Sequence, residues 1–117
     1  MAGKPPDLKE RTFEFAIRML QVTAMLPQNP EAQTVRKQLA RAGLSVGTNV
    51  EEADGCETKP EARRIFIIAR REARESRLLL RVIRRLWSPG INVDADIRES
   101  SELIKIRSTI ILRLNGS

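Results

Sequence analysis

The chain has 117 residues, of which 41% are hydrophobic, 31% charged and 3% aromatic, a balance that suits one helical domain around a single core. With no histidine and a single cysteine, Cys56, it lacks the usual general base, the usual zinc ligand and any internal disulfide. The net charge of +6 and the pI near 10.4 point to a polyanionic partner or an acidic protein surface.

Met1 to Pro6 reads as a short flexible arm without the apolar core of a signal peptide. No later run approaches the roughly 18 apolar residues of a membrane span. The expected location is therefore cytoplasmic, with no membrane partner.

Asp7 can cap a first helix over about 7–26, with Glu10 as the capping-box partner. Leu8, Thr12, Phe15, Met19, Val22 and Leu26 recur at steps of three and four and predict its core face. A second stripe, Phe13, Ile17, Leu20 and Ala24, lies on the far side and predicts a contact with another subunit. Leu26-Pro27 ends this helix, and Asn29 with Pro30 starts the next, over about 30–54. Val35, Leu39, Ala42, Val46, Asn49 and Ala53 form its seam, with Gly43 and Gly47 on the flank. A glycine inside a helix costs about 1 kcal/mol relative to alanine, so a close backbone approach is expected there.

Gly55 stops the second helix, and Thr58 caps a third over about 59–87. That helix holds nine arginines and one lysine against three acids, a local charge of +7, so the rest of the chain sums to −1. At about 100° per residue, Arg63, Arg70, Arg74, Arg77, Arg81 and Arg84 fall on one side, with Arg85 beside them. Ile65, Ile68, Ala69, Leu79, Ile83 and Leu86 fall on the other, as does Trp87 at the end. Ser88-Pro89-Gly90 closes the helix. A fourth, over about 93–114, carries Val93, Ile97, Leu103, Ile104, Ile110, Ile111 and Leu114 and ends at Asn115-Gly116-Ser117. No strand-like alternation occurs. Four helices on short connections predict an all-α, antiparallel up-down-up-down four-helix bundle.

Polar groups interrupt the seams at Asn49, Glu72 and Glu75, with Arg41 and Glu52 crowding one flank of the second helix. Paired carboxylates on facing helices can hold a metal, but such bundle sites use Glu-x-x-His pairs and this chain has no histidine. A hydrogen-bonded network that fixes helix register is the expected role of Arg41, Asn49, Glu52, Glu72 and Glu75, with Arg71 and Arg11 as further partners. No nucleophile or phosphate-binding glycine loop accompanies these carboxylates, so no catalytic residue, metal or cofactor is expected. Cys56 lies among acids that disfavour its thiolate.

The segments Asp7-Leu8, Arg11-Thr12, Phe15-Ala16 and Leu26-Pro27, and the run Gln38 to Ala53, resemble the bacterial four helix bundle protein family, which includes the 23S rRNA intervening-sequence proteins. Arg71-Glu72-Ala73-Arg74-Glu75 resembles the family's Lys/Arg-Glu-Ala-x-Glu segment, and Glu102-Leu103 with Lys105-Ile106 its closing helix. Val50, and Arg77 to Leu79, stand where the family often has aromatics. The resemblance implies a homopentameric bundle without enzymatic activity. It also implies kinship with the accessory variability determinant of diversity-generating retroelements, which binds a reverse transcriptase.

Two functions are therefore expected to compete. One is a basic oligomer that binds RNA or DNA through backbone phosphates, because guanidinium groups suit phosphate and no aromatic platform lies among the arginines. The other is an adaptor for a reverse transcriptase or another nucleic-acid enzyme, docking through exposed apolar groups such as Ile67 and Leu44. A third possibility, in which the arginines serve subunit assembly alone, leaves cationic charge uncompensated.

Overall fold

The computed structural model describes residues 7–115, of which Asn115 is placed by its backbone only. The arm expected at residues 1–6 and the terminal Gly116-Ser117 stop lie outside these residues. Four helices follow in order: α1 (Leu8–Met25), α2 (Pro30–Asp54), α3 (Lys59–Trp87) and α4 (Asp94–Asn115). No strand is present among the described residues. Each helix packs on its neighbour in sequence, giving an antiparallel up-down-up-down bundle of 48 × 32 × 19 Å.

Local chemistry sets the helix ends. Asp7 accepts a hydrogen bond from the Lys9 N–H at 3.1 Å, and Asn29 accepts one from the Ala32 N–H at 2.8 Å. Thr58 accepts from the Glu61 N–H at 3.3 Å, and Asn92 from the Asp94 N–H at 3.1 Å. The C-terminal end of α1 has no basic residue in its last turn. Arg36 of α2 takes that place, donating to the carbonyls of Leu26 at 2.9 Å, Pro27 at 3.0 Å and Thr23 at 3.3 Å.

The core is built from the expected faces of α1 and α2, joined by Ala73, Leu80 and Ile83 of α3 and by Val93, Leu103 and Ile104 from the last part of the chain. Gly43 explains itself by contact. A Cβ there would lie 2.6 Å from the Cβ of Met19, so only glycine lets α1 and α2 approach this closely. At Gly47 a Cβ would meet the Thr12 carbonyl oxygen at 3.5 Å, an ordinary contact.

Two seams differ from expectation by one residue. In α2 the buried position after Val46 is Val50, not Asn49, whose Nδ2 instead donates to the Ser45 carbonyl of its own helix at 2.8 Å. In α3 the buried row is Ile65, Ala69, Ala73, Ser76, Leu80 and Ile83. Leu80 thus replaces Leu79 at the centre, Ile68 is half-buried, and Leu86 is 58% exposed rather than inward. Steps of 4, 4, 3, 4 and 3 bring the contact line round the helix, and the apolar groups on its edge fall outside it.

The side of the bundle between α1 and α4 is closed differently from the rest, since these two helices touch least of all the packed pairs. Two bidentate ion pairs span it. Arg11 donates to Glu99 at 2.6 and 2.8 Å, and Arg18 donates to Asp96 at 2.8 and 3.1 Å. Both guanidinium groups are held above the ordinary arginine pKa, by the hydrogen bond to Glu99 in one case and to Asp96 in the other.

Candidate nucleic-acid interface

The nine arginines of α3 divide by position. Arg64, Arg71, Arg74, Arg81, Arg84 and Arg85 are exposed, and Arg63, Arg70 and Arg77 are half-buried beside α4. Arg63, Arg70, Arg77 and Arg84 are seven residues apart, two turns of helix, and so form one row. On α4, which runs the other way, Ser108, Ser101 and Asp94 repeat at the same interval. The pairs meet in antiparallel order. Arg70 Nη1 donates to Ser108 Oγ at 3.3 Å and Arg77 Nη1 to Ser101 Oγ at 3.2 Å, and Arg84 Nη1 lies 3.5 Å from Asp94 Oδ1.

This arrangement decides the electrostatics. A serine hydroxyl orients a guanidinium group without neutralising it. Among the described residues, Arg84 alone of the α3 arginines has a carboxylate partner, and that pair is exposed on both sides. The expected arginine face therefore lies outside the core and keeps its charge. It has donors to spare, because each guanidinium offers five N–H groups and the serines occupy one apiece.

The polar groups grouped in the sequence come together only in part. Arg41 is bonded to Glu72 at 3.2 Å, to Gln38 at 3.4 Å and to Glu75. The hydrogen bond to Glu75, with a weaker one to Glu72, holds this guanidinium above the ordinary arginine pKa against the lowering by burial. Asn49 and Glu52 stand apart from this cluster: Asn49 bonds within its own helix, and Glu52 is exposed beside Leu44 and Gly47. Arg71 is exposed, and Arg11 belongs to Glu99. On α1, Phe13 is 56% exposed and Ile17 and Leu20 are each 38% exposed, an apolar strip only partly covered by the described residues.

Sequence reasoning missed Arg107. Its side chain is wholly buried on the inner face of α4, and its Nε, Nη1 and Nη2 have no hydrogen-bond partner among the described residues. Burial, and then the nearby charge of Arg11, pull its pKa down to about 10. The signal was available. Arg107 falls four residues after Leu103 and four before Ile111, on the apolar stripe itself.

No group of three or more acidic or cysteine side chains among the described residues is placed to hold a metal. No described helix is long and apolar enough to cross a membrane. Cys56 is free, and its thiol is raised above the ordinary value by burial and by Glu61.

Fold and surface together define a basic, all-helical bundle protein whose most distinctive surface is an arginine-dense helix. Residues 7–105 match the model of the 23S rRNA-intervening sequence protein family, and the chain belongs to that family. The resemblance carried by Gln38 to Ala53 and by Arg71 to Glu75 is thereby borne out. A crystal structure from Bacteroides thetaiotaomicron VPI-5482, described as a protein with unknown function from the S23 ribosomal protein family, is similar in fold and sequence. The likeness covers 90% of this chain and 98% of that one, at 26% identity and a TM-score of 0.79. Neither description names an enzyme. Among curated proteins none matches this chain.

Proposed function

We propose that this is a non-enzymatic nucleic-acid-binding protein that holds RNA or DNA by its backbone phosphates through Arg63, Arg70, Arg74, Arg77 and Arg84. The observation that carries this reading is the row beside α4, where Arg70 and Arg77 are oriented by neutral serines and have no carboxylate partner among the described residues. A guanidinium held in place loses less conformational entropy on meeting phosphate than a free one. RNA is the first ligand to try, since the family is named for an insertion in ribosomal RNA. Assembly of several copies through Phe13, Ile17 and Leu20, with a pentamer implied by the family resemblance, would multiply each weak contact by avidity. A cytoplasmic location goes with this role.

Binding of this kind tolerates sequence and weakens steeply with salt. The test is fluorescence titration of a short structured RNA at several salt concentrations, with the wild type and with Arg70→Ala/Arg74→Ala/Arg77→Ala. The triple variant is expected to bind more weakly, with a log–log salt slope shallower by about 3, close to one for each phosphate no longer neutralised. A wild-type affinity indifferent to salt, or a variant with an unchanged slope, would sink the reading.

A further inference from the structure

Two surfaces of the bundle are left unfinished, and they are opposite in both shape and charge. Between α1 and α2 runs a groove of about 440 Å³, lined by apolar Phe13, Ala16 and Leu44, by the acids Glu51 and Glu52, and by Lys9, whose charge is taken up by Asp54 at 3.1 Å. Phe13 and Leu44 are 56% and 45% exposed, and Ile17 and Leu20 extend the apolar strip along α1. On the outer face of α3, Leu78, Val82 and Leu86 follow one another at steps of four and make a ridge. Leu78 and Leu86 are 57% and 58% exposed, and Arg81 and Arg85 stand beside them. Glu51, Glu52, Arg81 and Arg85 form no ion pair among the described residues.

We infer that the occupant of the acidic α1–α2 groove is the basic α3 ridge of a second copy of this chain. The inference rests on the assembly part of the proposed function and names the contact that makes it. A ridge of residues four apart fits between two helices as in ordinary helix packing. Apolar Leu78 and Leu86 then cover Phe13 and Leu44, while Arg81 and Arg85 meet Glu51 and Glu52 in charge-assisted pairs. Self-pairing of either surface is disfavoured, because groove on groove sets acid against acid and ridge on ridge sets arginine against arginine. Nucleic acid suits neither surface, having no aliphatic side to cover the leucines and being repelled by the groove. Since the two surfaces differ, the contact is head-to-tail and must close into a ring or continue as a filament. It covers Arg81 and Arg85 and leaves the row through Arg70 and Arg77, on the α4 side, open to phosphate.

Sedimentation velocity tests the pairing. The wild type is expected to run as a species larger than one 13.3 kDa chain. Leu44→Glu in the groove and Leu78→Glu on the ridge should each raise the concentration of half-assembly at least tenfold, with helical circular dichroism unchanged because both side chains are exposed. Glu51→Arg/Glu52→Arg and Arg81→Glu/Arg85→Glu should each weaken assembly similarly, and the four changes together should restore it to within threefold of the wild type. Assembly of Leu78→Glu at the wild-type concentration, or a fourfold variant no better than either double, would overturn the pairing while leaving assembly by another surface. A wild type that stays at 13.3 kDa at every concentration would remove the assembly reading itself.

Discussion

Arg107 puts a guanidinium in the core with no partner among the described residues, and an uncompensated buried charge costs several kcal/mol. Arg107→Met, which keeps the volume and removes the charge, is expected to raise stability by about 1–4 kcal/mol in urea unfolding. The pH dependence has a definite sign. The folded pKa, near 10, lies below the ordinary arginine value of the unfolded chain, so the unfolded chain binds more protons between the two and stability rises with pH in that window. The penalty is full at neutral pH. The advantage of Arg107→Met should therefore hold steady from pH 6 to 9 and shrink as pH climbs above about 10. The two helix glycines offer a second comparison. Gly43→Ala forces a methyl against Met19 and should cost about 1–3 kcal/mol, whereas Gly47→Ala has room and should add about 0.5–1 kcal/mol. Thermal melts of the pair check both. The need for glycine at 43 was legible from its place beside the α2 seam, but the difference between 43 and 47 was not, because it depends on which part of α1 lies opposite.

The helices are stabilised at their ends by local capping and at one flank by charge. Arg36 satisfies the last carbonyls of α1 from a neighbouring helix, so Arg36→Met should cost about 1.5–3 kcal/mol and speed amide exchange in the last turn of α1. Two kinds of ion pair join α1 to its neighbours, a buried one to α4 and an exposed one to α2. Asp96 has only 9% of its side chain exposed, so Arg18→Ala strands a buried carboxylate and should cost about 3–5 kcal/mol. Lys9 and Asp54 are both exposed, and Lys9→Ala should cost less than about 1 kcal/mol. Chemical denaturation of the two variants side by side measures the contrast; equal losses would mean that the α1–α4 side is not held by its buried pair. Nothing local announced the Arg11–Glu99 and Arg18–Asp96 pairs, since their partners are 88 and 78 residues apart.

Across the molecule, one helix concentrates the cationic charge and the rest sums to −1, so the protein presents a strongly polar distribution of charge rather than a diffuse basic surface. The two proposed contacts use different parts of it. Phosphate binding draws on the row beside α4, and assembly draws on the outer ridge. Arg81→Glu/Arg85→Glu should therefore lower RNA affinity mainly by breaking up the oligomer, and linking copies in tandem should recover much of the loss through effective concentration. Arg70→Ala/Arg77→Ala should lower affinity with the oligomer intact. Measuring sedimentation and RNA titration on the same samples separates the two effects. Identical losses of assembly and binding in both variants would mean that the arginines act as one undivided surface.

Helix placement, the arginine concentration on α3 and the family signature could all be read from the order of residues, because capping and the 3.6-residue period are local properties. The face of α1 was legible as it stands, and those of α2 and α3 only to within about one position. A single residue turns the helix by about 100°, enough to exchange Asn49 for Val50 or Leu79 for Leu80 at the contact line. The crossing of neighbouring helices made that choice, and with it the burial of Arg107, the exposure of Leu78 and Leu86, and the ion pairs that close the fourth side. These depend on what stands opposite a side chain, and in this bundle the opposing residue is dozens of positions away along the chain.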